Sequence, residues 1–337
     1  MSLPIIGITM GDPVGIGPEI IVKALAQKEV FACCRPLVFG DANVLKEANK
    51  VLNAPCSINP VRGVEEAKGT PGMIDLIELS HIDLNGFRFG TPQKPYAIQI
   101  IRYLETALSF AKDGRIGGMA TCPVNKGFLN NAGYPFTGHT QFLAQRTNSG
   151  SVVMMLATPR LKVTLVTIHC ALRDVPGLIT PERIKDTIRI TDDALKRSFG
   201  IPNPKLAVAS LNPHAGEDGL FGNEEKATIL PAINECRRAG VNVEGPLPSD
   251  SLFHFATEGI YDAVVCMYHD QGLIPIKLMG FNKAVNVTLG LSIIRTSVDH
   301  GTAYDIAGTG TADPSSLIEA IIMASGMVRA RGKTRSP

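Results

Sequence analysis

The chain of 337 residues has no tryptophan and only 6% aromatic residues. Proteins that hold single-stranded nucleic acid stack bases on aromatic side chains, so this composition argues against that class. Positive charge is also not in excess. The 33 basic and 31 acidic residues leave a net charge of +2, too little for a polyanion-binding surface. The basic stretch from Arg329 to Arg335 reads as a solvated end and not as a nucleic-acid arm. No run approaches the ~18 apolar residues a membrane helix needs. The first residues lack the basic, apolar, small-residue order of a secretory signal, because Asp12 and Pro13 interrupt it. Seven cysteines are scattered with no C-x-x-C pair, the pattern of reduced thiols in a cytoplasmic protein. There is no internal repeat and no low-complexity linker.

What is present is apolar material, 45% of the chain, enough to bury two cores at roughly 150 residues per domain. Short runs rich in Val, Ile and Leu predict strands at Ile5–Met10, Pro36–Gly40, Met73–Leu79, Met119–Cys122, Val152–Leu156, Val163–Ile168, Leu206–Leu211, Ala263–Met267 and Ala284–Thr288. Helical periodicity predicts helices at Gly17–Gln27, Ala42–Val51, Tyr96–Lys112, Pro181–Ser198, Glu224–Gly240 and Pro314–Arg329. Strands that do not alternate are covered on both faces, and their alternation with helices predicts an α/β architecture with a mostly parallel sheet. The turn-rich residues 131–140, "NAGYPFTGHT", suggest a hinge.

The segment "GITMGDPVGIGPEI", residues 7 to 20, places a glycine-rich turn between a strand and a helix. That arrangement aims backbone N–H groups and a helix N-terminus at an anion. Pro18 and Glu19 suit a helix start. The usual templates fail, however. A dinucleotide fingerprint beginning at Gly15 would need glycine where Ile20 stands, and the Gly-Lys-Ser/Thr of a Walker loop is absent. A tight turn that simply requires glycine explains the segment equally well.

Three of the seven histidines close apolar strands: "VTLVTIH" at His169, "LAVASLNPH" at His214 and "AVVCMYH" at His269. Ligand sites of open α/β sheets lie beyond the carboxyl ends of the strands. Three imidazoles delivered there can hold one divalent ion with open positions left over. Taken singly, each is as well read as a hydrogen-bonded rim histidine. "GHT" (Gly138 to Thr140) offers two donors in a turn. Lys277 and Arg295 can each neutralise a phosphate, Arg295 bidentately, or be ordinary surface charges.

Together these stretches resemble the 4-hydroxythreonine-4-phosphate dehydrogenase family of pyridoxal phosphate biosynthesis. The resemblance runs through "GDPVGIGPEI", "CPVNKG", "AGYPFTGHT", "VVMMLAT", "LNPHAGE", "GPLPSDSLF", "MYHDQGLIPIK" and "VNVTLGLSIIRTSVDHGTAYDIAG". Gly11–Glu19 and the "HGTAYDIAG" loop (His300 to Gly308) are more distantly similar to the cofactor loops of isopropylmalate and isocitrate dehydrogenases. The resemblance implies two α/β/α domains with the active site in a cleft between them, drawn as residues 1–130 with 300–337 and residues 131–299.

It also implies NAD or NADP bound by Gly15, Gly17, His300, Gly301, Thr302, Ala303, Asp305 and Gly308. It implies one divalent ion (zinc, cobalt or magnesium) on His169, His214 and His269 at a homodimer interface, with His269 as the partner's ligand by position. Three nitrogens suit zinc or cobalt and hold magnesium weakly. The small phosphorylated hydroxy-acid substrate is expected on His139, Thr140, Asp250, Lys277, Asn286 and Arg295. Gln141 stands where relatives commonly carry glutamate.

The reaction so implied is oxidation of 4-phosphooxy-threonine at C3, followed by loss of carbon dioxide. Asp250 is the first candidate for general base and Lys126 the second; either can instead be a structural ion pair. Dehydrogenases of 4-phospho-D-threonate or 4-phospho-D-erythronate would use the same contacts. A cis-dihydrodiol dehydrogenase would have little use for Lys277 and Arg295. A non-catalytic phosphometabolite binder or a phosphate acetyltransferase would need no triple-histidine site.

Overall fold

The computed structural model describes residues 3–136 and 138–334. Thr137 of the expected hinge and Arg335 of the basic end lie outside them. In chain order the strands are β1 (Ile5–Thr9), β2 (Arg35–Asp41), β3 (Ser57–Val61), β4 (Met73–Ser80), β5 (Gly118–Thr121), β6 (Val153–Ala157), β7 (Lys162–Leu165), β8 (Leu206–Ala209), β9 (Val243–Leu247), β10 (Ala263–Cys266), β11 (Val285–Leu289) and β12 (Arg295–Val298). The helices are α1 (Gly17–Leu25), α2 (Lys28–Cys33), α3 (Ala42–Val51), α4 (Tyr96–Lys112), α5 (Lys126–Asn131), α6 (His139–Arg146), α7 (Val175–Leu178), α8 (Pro181–Ser198), α9 (Leu230–Arg238), α10 (Ser249–Thr257), α11 (His269–Gly280) and α12 (Ser315–Thr334). The architecture is α/β, as the alternation predicts.

Two compact units divide the chain, residues 1–148 with 291–329 and residues 149–290 with 330–337. In the first, the strands run β3-β4-β2-β1-β5-β12 and every pair is parallel. Helix α4 packs on β1 and β2 through Ala97, Ile100, Ile101, Leu104, Ala107 and Leu108, an apolar face at helical spacing. Each buried Leu or Ile contributes roughly 1.5–3 kcal/mol relative to exposure. In the second unit the order is β11-β6-β7-β10-β8-β9; β6 is antiparallel to β11 and β7, and the rest are parallel. Its core gathers Leu156, Val163, Leu165, Val264, Cys266, Leu273 and Ile276.

The unit breaks differ from the expected 130/131 and 299/300. Residues 291–299 belong with the first unit because β12 pairs with β5, Arg295 opposite Met119. Residues 131–148, which contain α6, also belong there. His139, Thr140 and Arg295 are therefore first-unit residues, while His169, His214, Asp250, His269, Lys277 and Asn286 are second-unit residues. All seven cysteines are free, and all but Cys170 are buried. Among the described residues no helix is long and apolar enough to cross a membrane.

Candidate active site

In the first unit, the loop after β1 is tied to residues 302–312. The Ile16 N–H donates to the Thr302 carbonyl at 3.0 Å. Glu19, fully buried on α1, accepts the N–H groups of Gly308 and, at 2.9 Å, of Gly310. One turn on, the Lys23 ammonium donates to the carbonyls of Gly310 (2.7 Å) and Ala312 (2.6 Å). The Tyr304 hydroxyl donates to Asp12. Burial raises the Asp12 carboxyl above its usual range, against the pull of the Tyr304 and Val14 bonds. A Cβ at Gly17 would collide with the Met10 carbonyl, and one at Gly15 would press on Thr302 at 3.1 Å. Gly17 is thus required by packing alone, and Gly15 sits in a tight contact. Of the expected cofactor residues, Gly15 and Thr302 are brought together, and Gly308 is fixed through Glu19. Gly301 and Asp305 are exposed, the His300 ring lies 3.1 Å from the Gly301 carbonyl, and Ala303 has φ +42°.

A second first-unit feature is a cluster of cations at the start of α6. Gly138, with φ +145°, caps this helix without a side chain. The Lys126 ammonium sits 3.3 Å from where a Gly138 Cβ would be, and the positive φ there favours glycine. His139 is half-buried, but its ring nitrogen Nε2 is sealed from solvent and has no hydrogen-bond partner among the described residues. Burial first, then Arg295 and Lys126, hold this imidazole well below 6.5. Arg295, 2% exposed, donates to the Thr121 hydroxyl at 2.7 Å, and burial pushes its guanidinium down to about 9. Thr140 stands in the first turn, and the Gln141 amide oxygen approaches Gly138. Helix N-terminal N–H groups, a lysine, an arginine and an orphaned ring nitrogen together suit an anion such as phosphate. Lys126, a candidate base by sequence, stands among cations.

In the second unit, register explains which histidines meet. β7 and β10 are parallel neighbours with Leu165 opposite Cys266. Backbone bonds continue past the strand ends, from Val166 N–H to the Cys266 carbonyl and from Thr167 N–H to the Met267 carbonyl. Two parallel chains leaving in step deliver His169 and His269 to one place. Their ring centroids are 5.6 Å apart, in a cavity of about 460 Å³ lined also by Cys170, Leu172, Tyr268 and Asp270. The Asp270 carboxylate lies 2.8 Å from His269 Nδ1. With Nδ1 so engaged, Nε2 is the free ligand atom, the usual carboxylate–histidine–metal arrangement.

His214 is placed differently. Residues 214–218 all have positive φ, from +41° to +82°, a left-handed turn in which only Gly216 is a glycine. Non-glycine residues there cost ~1–2 kcal/mol each, so the surroundings must hold the turn. Glu225, buried in a π-helical turn (Glu225–Ile229), accepts the N–H groups of Leu211 (2.9 Å) and Asn212 (2.7 Å) and the Asn212 amide (3.0 Å). His214 ends 6.4 Å from the Phe221 ring. Among the described residues no three His, Cys, Asp or Glu side chains are grouped closely enough to hold an ion.

The pair His169–His269 has donors that fit a borderline divalent ion such as zinc or cobalt, and His214 stands outside it. Asp250 is exposed in the first turn of α10, where it accepts its neighbour's Ser251 N–H at 2.9 Å. The Lys277 ammonium lies 4.8 Å over the Phe281 ring, and the buried Asn286 Oδ1 has no partner among the described residues.

Sequence reading missed Glu19, Tyr304, Glu225 and Gln271. Only Gln271 left a trace, at the third position of a helix that follows a strand, where a side chain reaches back to cap.

Residues 32–324 match the family described as "Pyridoxal phosphate biosynthetic protein PdxA". The chain belongs to this family. It is 50% identical over 332 residues, 98% of both chains, to the 4-hydroxythreonine-4-phosphate dehydrogenase of Desulforapulum autotrophicum. It is 44% identical over 322 residues, 96% of both, to a Clostridium botulinum protein provisionally named D-threonate 4-phosphate dehydrogenase. The crystal structure of the 4-hydroxythreonine-4-phosphate dehydrogenase of Klebsiella pneumoniae superposes with a TM-score of 0.89 at 41% identity, covering 97% of this chain and 98% of that one. The protein is a dehydrogenase, an enzyme class that works with a nicotinamide cofactor.

Proposed function

We propose that the enzyme oxidises 4-phosphooxy-L-threonine at C3 with NAD+ or NADP+ and releases carbon dioxide, giving 3-amino-2-oxopropyl phosphate for pyridoxal phosphate synthesis in the cytoplasm. The observation that carries this reading is the His169–His269 pair, with Asp270 on the outer nitrogen of His269. His169, His269 and His214 hold the ion in this proposal. By the family resemblance one of the three rings, His269 by position, comes from a partner subunit; within one chain the His169 and His269 rings already lie 5.6 Å apart.

When bound, the ion supplies Lewis-acid polarisation of the substrate oxygen and the dinucleotide supplies a hydride acceptor. The chain's own groups do the rest. Arg295, the N–H groups at Thr140, His139 and Lys126 neutralise and orient the phosphate. Lys277 and Asn286 supply the remaining polar contacts. The Asp250 carboxylate takes the C3 hydroxyl proton as hydride leaves that carbon. The proton that later replaces carbon dioxide on the product carbon is supplied by the same carboxyl group. Residues 300–308, anchored by the Ile16–Thr302 and Glu19–Gly308 bonds, carry the adenosine end of the dinucleotide.

Exposed apolar side chains on the second unit, Ile274, Leu278 and Phe281, support a homodimer. The test is kcat/KM for 4-phosphooxy-L-threonine beside 4-phospho-D-threonate, with NADH or NADPH absorbance as the readout. A thousandfold preference for the first, about 4 kcal/mol of transition-state discrimination, supports the reading. The reverse preference makes the enzyme a 4-phospho-D-threonate dehydrogenase.

A further inference from the structure

Gln271 belongs to none of the expected ligand sets, yet its amide joins three of the segments that carry them. We propose that Gln271 is a positioning residue for the metal and substrate groups of the second unit, a role that rests on the metal reading of His169 and His269 above. The side chain is 8% exposed. Its Oε1 accepts the Met267 N–H at 2.6 Å, just before His269. Its Nε2 donates to the Ser210 carbonyl at 2.6 Å, where β8 gives way to the segment that ends in His214. The same Nε2 donates to the Ser249 hydroxyl at 2.9 Å, beside Asp250, and that hydroxyl reaches the Ser210 carbonyl at 3.3 Å. A carboxamide has one acceptor oxygen and two N–H donors, and here all are directed at backbone or side chain of three separate segments.

The first of these bonds also folds Gln271 back over the start of α11. Tyr268, at its N-cap, makes no side-chain cap bond, and Gln271 in the first turn instead holds the N–H of Met267, one residue before the N-cap, so that the chain entering the helix is tied to its first turn. The first turn of α11 bears both His269 and Asp270, so its pitch sets the direction of the His269 ring. The Ser249 bond fixes where the α10 turn with Asp250 stands relative to that ring. Outer partners of this kind change metal affinity by roughly 10–100-fold when removed.

The test uses the full-length protein titrated with Co(II), followed by its visible absorption, with thermal melts recorded in parallel. Gln271→Met keeps the shape and removes all three bonds. Gln271→Glu keeps the acceptor and replaces both donors with a carboxylate facing the Ser210 carbonyl. The expected result is folded protein with at least tenfold weaker Co(II) binding, changed band intensities and a raised KM for the phosphorylated substrate. Ser249→Ala, which removes the Gln271 contact at that hydroxyl and its own bond to the Ser210 carbonyl but leaves the other two Gln271 bonds, should raise KM about threefold at unchanged Co(II) affinity.

Gln271→Met with wild-type Co(II) affinity, spectrum and KM overturns the assignment. If neither Gln271 variant folds, an unchanged KM in Ser249→Ala overturns it. Wild type that takes up no Co(II), or as much in His269→Ala, overturns the metal reading itself and is thereby told apart from failure of the Gln271 role alone.

Discussion

His139 has its protonation state fixed by neighbours that no local sequence pattern names. Burial of its ring, with Arg295 and Lys126 beside it, keeps it neutral well below 6.5. The unfolded chain takes up a proton there as pH falls through 6.5, and the folded chain does not. The stability this group contributes is therefore complete above pH 6.5 and is lost as pH drops below it. His139→Gln should flatten the fall in Tm between pH 6.5 and 5; an unchanged slope would assign that fall to other groups. Arg295 offers a second check. A lysine cannot donate to Thr121 and also grip a phosphate with two parallel bonds, so Arg295→Lys should raise the substrate KM about tenfold, near 1.4 kcal/mol. Equal KM values would remove Arg295 from the phosphate site. "GHT" and Arg295 were legible as candidate donors because their residue types speak for themselves. The burial of Arg295 was not, since "RTSV" reads as polar and only the pairing of β12 with β5 encloses it.

At the scale of elements, the termini of α1 and residues 302–312 act as one piece. Glu19 looked like an ordinary first-turn acid, placed for the helix dipole. Its carboxylate instead satisfies backbone N–H groups 289 and 291 residues away, a partnership that no local window contains. Glu19→Gln, which keeps the shape and halves the acceptors, should loosen residues 308–312 and weaken NAD+ or NADP+ binding severalfold, read by fluorescence titration. Unaltered dinucleotide affinity would detach this tether from the cofactor. Gly17→Ala must move α1 off the Met10 carbonyl, with an expected loss on the order of 1–3 kcal/mol in a denaturant melt. The nine strands read from apolar runs are all present, with modest shifts at their ends. The three missed have physical reasons: β3 and β9 are edge strands carrying proline, which edges tolerate, and β12 (Arg295–Val298) is short and polar in sequence. The left-handed turn at His214 was likewise hidden, because Glu225, which anchors the segment before it, lies beyond the loop.

For the whole molecule, the unit boundaries were the least legible feature, because composition does not change at 148 or 290 and only strand pairing reveals the breaks. What the molecule exposes is more telling. Ile274 and Leu278 on α11 and Phe281 at its C-cap, at spacings of four and three, are 58%, 84% and 71% exposed, one stripe of a helix whose opposite side packs in the core. Phe255 of α10 and Leu220 and Phe221 near His214 are exposed as well. Scattered apolar residues need no explanation, but a helical stripe of them beside the candidate ligands calls for a partner surface. A second copy is the partner proposed here, and it would complete the set of three histidines. Leu278→Asp introduces a charge at the most exposed position without touching the core. Light scattering should then report a monomer where wild type is a dimer, and Co(II) binding should weaken with it, since only two of three imidazoles remain. A Leu278→Asp protein that is monomeric yet binds Co(II) like wild type would make the ion a single-chain ligand; one that stays dimeric would put the subunit contact elsewhere.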